Sequence, residues 1–455
     1  MSNTNHHTEN TPRTLGADGN PLVPGSFKFR SISIIRGNAI EDISDIVTSV
    51  DIIQDLYSPT IVATILVRDT RGFYEKSGVK LSGFEMILID IEEILHSRES
   101  SSNTNLLTLR FVVSQYGDFE VDSGSVYTKQ FTIDAISNYS YLSRLNKISK
   151  SFKNDPIENI GDIFQNHLLY DKNKYFDYDR SANKCVTSFS SVITYRTPLQ
   201  AIKWLQSKAY DENKTPFFVY SRLKDGSIVS RSWGFLSDKT KNPVYKTYIK
   251  KQHGNFDPGT YESYTYEKDK LLEITSSSQN NELQKTISGK YDILLKTIDY
   301  SDLTYNENNI DISDTKLSKE EKKNYDELSN QRRELIETLG INKSEVERFL
   351  QERLRPAEIL FHKPYPLFAD GTNSSLDVDF AHIAASNYYR SKFNSEKYEA
   401  IVYGDFNLNP GTLIDLQVPL EDNQNSELSG SYIISVVIHS FRNGKYVNRL
   451  KLLKI

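Results

Sequence analysis

Apolar and polar residues alternate with a period of two through much of the first 137 residues. Successive side chains of a strand point to opposite faces, so this pattern predicts half-buried β-strands. The alternating runs are Phe27–Ile35, Ile46–Ile53, Thr60–Val67, Leu107–Ser114 and Gln130–Ile136. Phe84–Ile91 is apolar on both faces and predicts a buried central strand. Tyr57-Ser58-Pro59 is a turn, and Ser97–Asn105 is a polar linker inside a long hairpin. Residues 26–137 therefore predict an antiparallel module of six or seven strands, a small barrel or sandwich. Residues 1–25, polar and rich in Asn, Thr and Pro, predict a flexible arm.

The period then lengthens. Asp155-Pro156 places an N-cap before a proline at the first helical position. Ile157, Ile160, Ile163, Phe164 and Leu168 follow at helical spacing. Thr197-Pro198 repeats the device ahead of Leu199, Ile202 and Leu205. Residues 138–210 thus predict two short amphipathic helices on a mixed linker. Phe217–Tyr220 and Ile228–Phe235 form a hairpin turned by Asp225-Gly226. The rest of 211–312 is a mixed β region, completing a second β-module with the C-terminal strands and adding an accessory domain, with short strands such as Leu271–Thr275 and Lys285–Ser288. Residues 313–356 are dense in charge. Ser318 with Glu321 and Ser344 with Glu347 stand at capping-box spacing, and Tyr325, Leu328, Leu335 and Leu339 form a narrow stripe. This is an inserted helical hairpin, either a solvated appendage or a docking element. Residues 357–380 read as loop and His382–Lys392 as a short helix.

The C-terminal region, 357–455, ends in a meander. In Gly404-Asp405-Phe406-Asn407-Leu408-Asn409-Pro410-Gly411 the Pro410-Gly411 pair predicts a turn, with proline presetting φ and glycine supplying a positive one. Leu413–Val418, Tyr432–Val437 and Tyr446–Leu453 follow as strands. A three-stranded meander needs further strands to complete its sheet. A glycine-led strand followed by an aromatic-x-Ile strand occurs twice, as Gly83–Ile91 with Phe131–Ile136 and as Gly411–Val418 with Tyr432–Val437. The recurrence predicts two copies of one small β-module.

Composition narrows the function. Tyr (28) and Phe (22) abound while Trp (2) and Met (2) are scarce, which favours strands. A net charge of −5 argues against a broad basic nucleic-acid face. The single cysteine, Cys185, excludes an internal disulfide and any cysteine-built metal site. No run reaches the roughly 18 apolar residues of a membrane span, and the N-terminus lacks a signal-peptide core. The chain is therefore expected to stay in the cytoplasm that made it or to leave inside an assembly. No phosphate-binding loop, dinucleotide fingerprint, nucleophile elbow or zinc-protease motif is present in the sequence. His6-His7 lie in the arm and read as solvated tail. Asp118, Glu120 and Asp122 share a strand face and read as a charged, aggregation-resistant edge rather than a catalytic set. Asp370, Asn373, Asp377 and Asp379 lack calcium-loop spacing, and Cys185 with His167 lacks an orienting acid. The expectation is a non-enzymatic protein with no cofactor and no metal.

The Gly404–Gly411 segment resembles the G-N-F-N-L-x-P-G motif of the central baseplate hub proteins of contractile-tailed, T4-type bacteriophages. The family's following Y-x-x-x-V-I-H strand is matched by Tyr432–His439 with an offset of one, and Asp405 stands in place of asparagine. Asp55-Leu56-Tyr57 with the strand to Asp69, the Gly83 strand, the helix after Pro156 and the segment Trp204–Phe218 fall in the same order. The arm and the 313–356 hairpin have no counterpart there. The resemblance implies an α+β, mainly β fold. It has two tail-tube-like antiparallel β-barrel modules with smaller helical and mixed domains. It implies a hollow homotrimer that adapts the hexameric tail tube to the trimeric spike and starts tube assembly. It also implies contacts with other baseplate proteins and the tape-measure protein. DNA would pass through the lumen unbound, and the location would be the virion tail baseplate, assembled in the host cytoplasm. The expected inter-subunit barrel strands are Phe84–Ile91 and Leu413–Val418. Phe84, Met86, Leu88, Leu413, Leu416, Tyr432 and Ile434 are the expected contacts, and Gly404, Phe406, Asn407, Pro410 and Gly411 form the turn motif. Two other functions compete. One is the hub of a related injection machine, a type VI spike base or tailocin, with any spike on a separate chain because this one ends after the meander. The other is a tail-associated cell-wall-degrading enzyme.

Overall fold

The structure, a computed structural model, describes residues 24–73, 83–95, 103–121, 129–187, 191–251, 261–276, 292–299, 304–311, 358–362, 397–420 and 426–455, with isolated positions 330, 334, 338, 389 and 393. The first strands are β1 (Phe27–Arg36), β2 (Ala39–Asp42), β3 (Val47–Asp55), β4 (Ser58–Asp69), β5 (Met86–Leu95), β6 (Asn103–Val121) and β7 (Lys129–Ser137). A mixed region follows with α1 (Asn138–Leu145), β8 (Ile148–Phe152), α2 (Pro156–His167), α3 (Lys172–Tyr175), β9 (Phe176–Asp177), β10 (Ser191–Arg196) and α4 (Pro198–Gln206). Then come β11 (Phe217–Ser221), β12 (Ile228–Ser232), α5 (Trp233–Leu236), β13 (Lys246–Ile249), α6 (Tyr261–Lys268) and β14 (Leu271–Ser276). The last strands are β15 (Asp292–Asp299), β16 (Thr304–Asp311), β17 (Glu358–His362), β18 (Tyr398–Tyr403), β19 (Leu413–Gln417), β20 (Gly430–Arg442) and β21 (Lys445–Lys454). The fold is α+β and mainly β.

Among the described residues, thirteen strands form one sheet that contains two modules. The first runs β3-β4-β7-β6-β5-β1 and the second β14-β18-β21-β20-β19-β13. The two orders match strand for strand, in sequence as in space. Four of the five neighbour pairings are antiparallel in both modules. The fifth differs, β1 running antiparallel to β5 and β13 parallel to β19. Gly83 and Gly411, which precede the equivalent strands β5 and β19, both have positive φ, 89° and 80°. The expected closed barrels are modified. An isolated bridge, Ile249 with Lys270, joins the ends of the second module, another, Ser26 with Lys445, joins the start of β1 to β21, and no continuous ladder closes either module among the described residues.

The modules are fused through one hairpin. The first half of β20 pairs with β19, the second half (Val436–Arg442) pairs with β3, and β21 runs along its other side. Phe441 and Tyr446 at the hairpin end, and Phe406 of the turn motif, consequently lie in the core of the first module with Ile34, Ile65, Ile89 and Phe131. The second module has its own core, which includes Tyr248, Ile414, Leu416, Tyr432, Ile434 and Leu450. Leu413 faces the other way and packs in a neighbouring cluster with Leu56 and Phe218.

The region after β7 is richer than two helices. Both expected helices form as their caps dictate. Asp155 Oδ1 accepts from Ile157 N at 2.8 Å, and Thr197 with Gln200 makes a full capping box. A further helix, α1, and the strand pair β8–β10 were not expected there. The hairpin strand expected to reach Phe235 stops at Ser232, whose side chain caps α5 instead. β15, β16 and β17 form a separate three-stranded sheet, with β16 and β17 in stretches expected to be accessory or loop. The arm up to residue 23, the strand expected at Lys285–Ser288, Asp370 to Asp379, and the 313–356 hairpin and His382–Lys392 helix, apart from the isolated positions, lie outside the described residues.

Asp155 also accepts from the Tyr178 hydroxyl at 3.0 Å and is buried. Replacing it with alanine removes a cap and the acceptor of that hydroxyl's proton, leaving the hydroxyl only the bond it accepts from Cys185 N at 3.1 Å. The expected loss is about 2 kcal/mol, read by urea unfolding followed by tryptophan fluorescence. A loss under about 0.5 kcal/mol would show that the cap is not needed.

Candidate functional site

The modules, the turn motif and the β11–β12 hairpin meet at one buried polar junction. Its centre is His439 on β20, fully enclosed. Its Nε2 lies 2.9 Å from Gln54 Oε1 on β3, and its Nδ1 lies 2.8 Å from the Tyr446 hydroxyl and 2.9 Å from Asn448 Nδ2. Gln54 Nε2 donates to the Ser221 carbonyl at 2.7 Å and to Asn409 Oδ1 at 3.2 Å. The network is consistent with one neutral tautomer: Nε2 donates to Gln54, and Nδ1 accepts from Asn448. Burial pushes the imidazole down to about 3.

The turn motif is wired into this junction. Asp405 N donates to Asn448 Oδ1 at 2.6 Å, and Leu223 N donates to Asn409 Oδ1 at 2.9 Å. Pro410 and Gly411 are the central residues of a turn closed by Thr412 N and the Asn409 carbonyl at 3.2 Å. A side chain at Gly411 would also stand 2.5 Å from the Tyr220 hydroxyl. Gly404 is required for another reason, since a Cβ there would sit within the ring of Tyr446. Phe406 packs 5.1 Å from that ring and is fully buried, whereas Asn407 is exposed.

Beside the junction lies a cavity of about 120 Å³ lined by Glu93, Asn105, Tyr245, Lys268, Asp405 and Asn407, among others. Glu93 is buried there and accepts from Asn105 at 3.3 Å. Burial and then the nearby Asp405 push its carboxyl up to about 7. Among the described residues no group of three or more His, Cys, Asp or Glu side chains could hold a metal ion. Cys185 is buried, and burial pushes its thiol up to about 12.

The expected inter-subunit residues divide. Phe84 and Met86 are 68% and 37% exposed, and Leu88 is half-buried. Leu413, Leu416, Tyr432 and Ile434 are enclosed in the chain's own cores and are not available to a neighbour. The expected strand pairing across subunits also changes. β5 is flanked by β1 and β6, and β19 by β20 and β13, so neither has a free edge. β5 is buried on one face only, through Ile87, Ile89 and Ile91, and its other face points outward. A contact on that face would be made by side chains, not by a shared ladder.

Phe84 is presented rigidly. The buried Glu85 carboxylate accepts from Gly83 N at 2.9 Å, Phe84 N at 3.1 Å and the Tyr116 hydroxyl at 3.0 Å. An apolar row continues from it across the sheet, where Ile40, Ile35, Met86 and Val112 are cross-strand neighbours. The spacing in Phe84–Ile91 signalled the strand, but nothing local in the sequence signalled the His439 network.

No known family profile and no curated protein matches the sequence. Solved structures do. The 43 kDa tail protein of prophage MuSo2 from Shewanella oneidensis is 11% identical, with a TM-score of 0.48 over 93% of this chain and 98% of its own. A tail protein from Neisseria meningitidis is 8% identical, with a TM-score of 0.48 over 94% of this chain and 96% of its own. A component of the Escherichia coli type VI secretion system is 10% identical, with a TM-score of 0.41 over 94% of this chain and 76% of its own. The chain's structural neighbours are thus phage tail proteins and a type VI secretion component.

Proposed function

We propose that the chain is the structural hub at the centre of a contractile-tail baseplate. The observation that carries this reading is the pair of modules with one strand order, fused through β20–β21. Three such chains around an axis present six similar modules to a hexameric tail tube and three equal faces to a trimeric spike, and symmetry decides what an interface can join. The hub motif at Gly404–Gly411 supports it from the sequence side. The role is mechanical: the hollow trimer starts tube assembly, binds the spike and other baseplate proteins and leaves a passage for DNA. No catalytic step is assigned to it. The virion baseplate is its location, and among the described residues no helix is long and apolar enough to cross a membrane.

The row of Phe84, Met86, Ile35 and Ile40 is the face that meets a second copy of the chain. Burying an exposed Phe or Met contributes on the order of 2 kcal/mol per side chain. Light scattering on the 52.2 kDa chain is expected to give a trimer. The double variant Phe84→Glu/Met86→Glu is expected to give a folded monomer, since both positions are exposed. A wild-type chain that stays monomeric at its highest soluble concentration overturns the reading. Turnover of peptidoglycan by the purified protein would favour a cell-wall enzyme instead.

A further inference from the structure

Charge is segregated along this chain. It carries −5 overall, yet residues 138–210 hold eleven lysines and arginines against six aspartates and glutamates. The basic residues dominate two runs without any acidic residue, 135–154 and 180–210. The structure brings those two runs together: β8 from the first pairs with β10 from the second, and Leu199 N of α4 donates to Ser143 Oγ of α1 at 3.0 Å. Lys147, Lys150 and Arg196 are exposed on this unit and have no carboxylate partner among the described residues.

Two further features mark the same surface. Tyr195 is 76% exposed yet held at φ 49°, its N–H donating to Ser149 Oγ at 3.1 Å and its ring 5.5 Å from Lys147 Nζ. A bulky residue at positive φ is strained, and such strain concentrates at functional positions. Leu169 is 82% exposed at φ 54°, and Leu145 and Val192 are exposed too. Asn146 donates to the His167 carbonyl at 3.3 Å, which sets the end of α2 beside α1. Finally, β8 and β10 form a sheet of two strands, so each has an outer edge without a strand neighbour among the described residues.

We propose that the β8–β10 unit docks an extended acidic segment of a partner protein, which adds as a strand to one of these edges. The free edge supplies main-chain hydrogen bonds. Lys147, Lys150 and Arg196 select carboxylates, and Tyr195, Val192, Leu145 and Leu169 give apolar contact. This goes beyond the hub reading and does not depend on it.

The probe is a fluorescein-labelled decapeptide of alternating glutamate and valine, titrated with the full chain and read by anisotropy. Saturable binding that weakens with salt is expected, because exposed ion pairs are screened. Lys147→Ala/Lys150→Ala/Arg196→Ala should weaken it at least about tenfold, equivalent to about 1.4 kcal/mol. The lysine–valine counterpart should not bind, and methylating alternate backbone nitrogens should abolish binding. Far-UV circular dichroism checks that the variant is folded. If it is not, Lys150→Glu alone decides by the same criterion. Equal binding by the variant or by the N-methylated peptide overturns the proposal, as does no binding by the parent peptide. An oligothymidylate of equal charge that binds as tightly would assign the surface to nucleic acid instead.

Discussion

Gly404→Ala is expected to destabilise the fused modules by about 3 kcal/mol, the upper part of the range for overpacking a filled core. The added methyl would fall within the Tyr446 ring, which has no room to move. That ring stacks on Phe441 at 4.3 Å, faces Phe406 at 5.1 Å, and its hydroxyl is held by His439 at 2.8 Å. Its backbone is fixed as well, with the Tyr446 carbonyl accepting from Gly404 N at 2.9 Å. Urea unfolding of the variant measures the loss. Tyr446→Val should itself cost about 3 kcal/mol by leaving a cavity. The double variant should cost at least about 1 kcal/mol less than the two singles combined, since the methyl enters space the ring has vacated. Strict additivity would mean that the ring is not what excludes a side chain at 404.

Much of this architecture is legible in local pattern. Alternation located β1, β3, β4, β6 and β7, and a cap followed by proline located α2 and α4. Patterns fail where pairing decides the outcome. β16 reads Thr-Tyr-Asn-Glu-Asn-Asn-Ile-Asp and carries almost no apolar signal, yet it forms a strand beside β15. β8 is mostly polar and exposed, and its partner lies in a segment about forty residues away. The run of Phe84–Ile91 reads as buried on both faces, because an apolar residue such as Met86 has the same character whether it is enclosed or exposed. His439 shows the same limit at its sharpest. Its hydrogen-bond partner Gln54 is 385 positions earlier, so no window of the sequence contains both. The turn motif was visible as spacing, while its reason, a ring against Gly404 and a network through Asn409, exists only after folding.

The junction and the cavity beside it respond to pH through two groups with opposite signs. His439 titrates near 6.5 when unfolded and at about 3 when folded. Its contribution to stability is therefore complete above pH 6.5 and is lost as pH falls below that value. Glu93 titrates near 4.5 when unfolded and at about 7 when folded. Its contribution is complete below pH 4.5 and is lost as pH rises through 7. Between pH 4.5 and 6.5, unfolding adds a proton at His439 and releases one at Glu93, so the two contributions cancel. The groups facing Glu93 are Asp405, which raises its carboxyl, and Lys268, Lys224 and Asn105, which lower it. Glu93→Gln keeps the shape and removes the titration. The variant should be more stable than the wild type at pH 8, by about 3 kcal/mol, because it no longer buries a charge there. Relative to the wild type it should then lose about 1.4 kcal/mol per pH unit between pH 6.5 and 4.5, where the His439 penalty stands uncompensated. Urea unfolding of both proteins at pH 8, 6.5, 5.5 and 4.5 measures this difference. If the two curves run parallel across that range, Glu93 does not hold a proton in the folded chain, and the cavity beside the turn motif is ionised like any open surface.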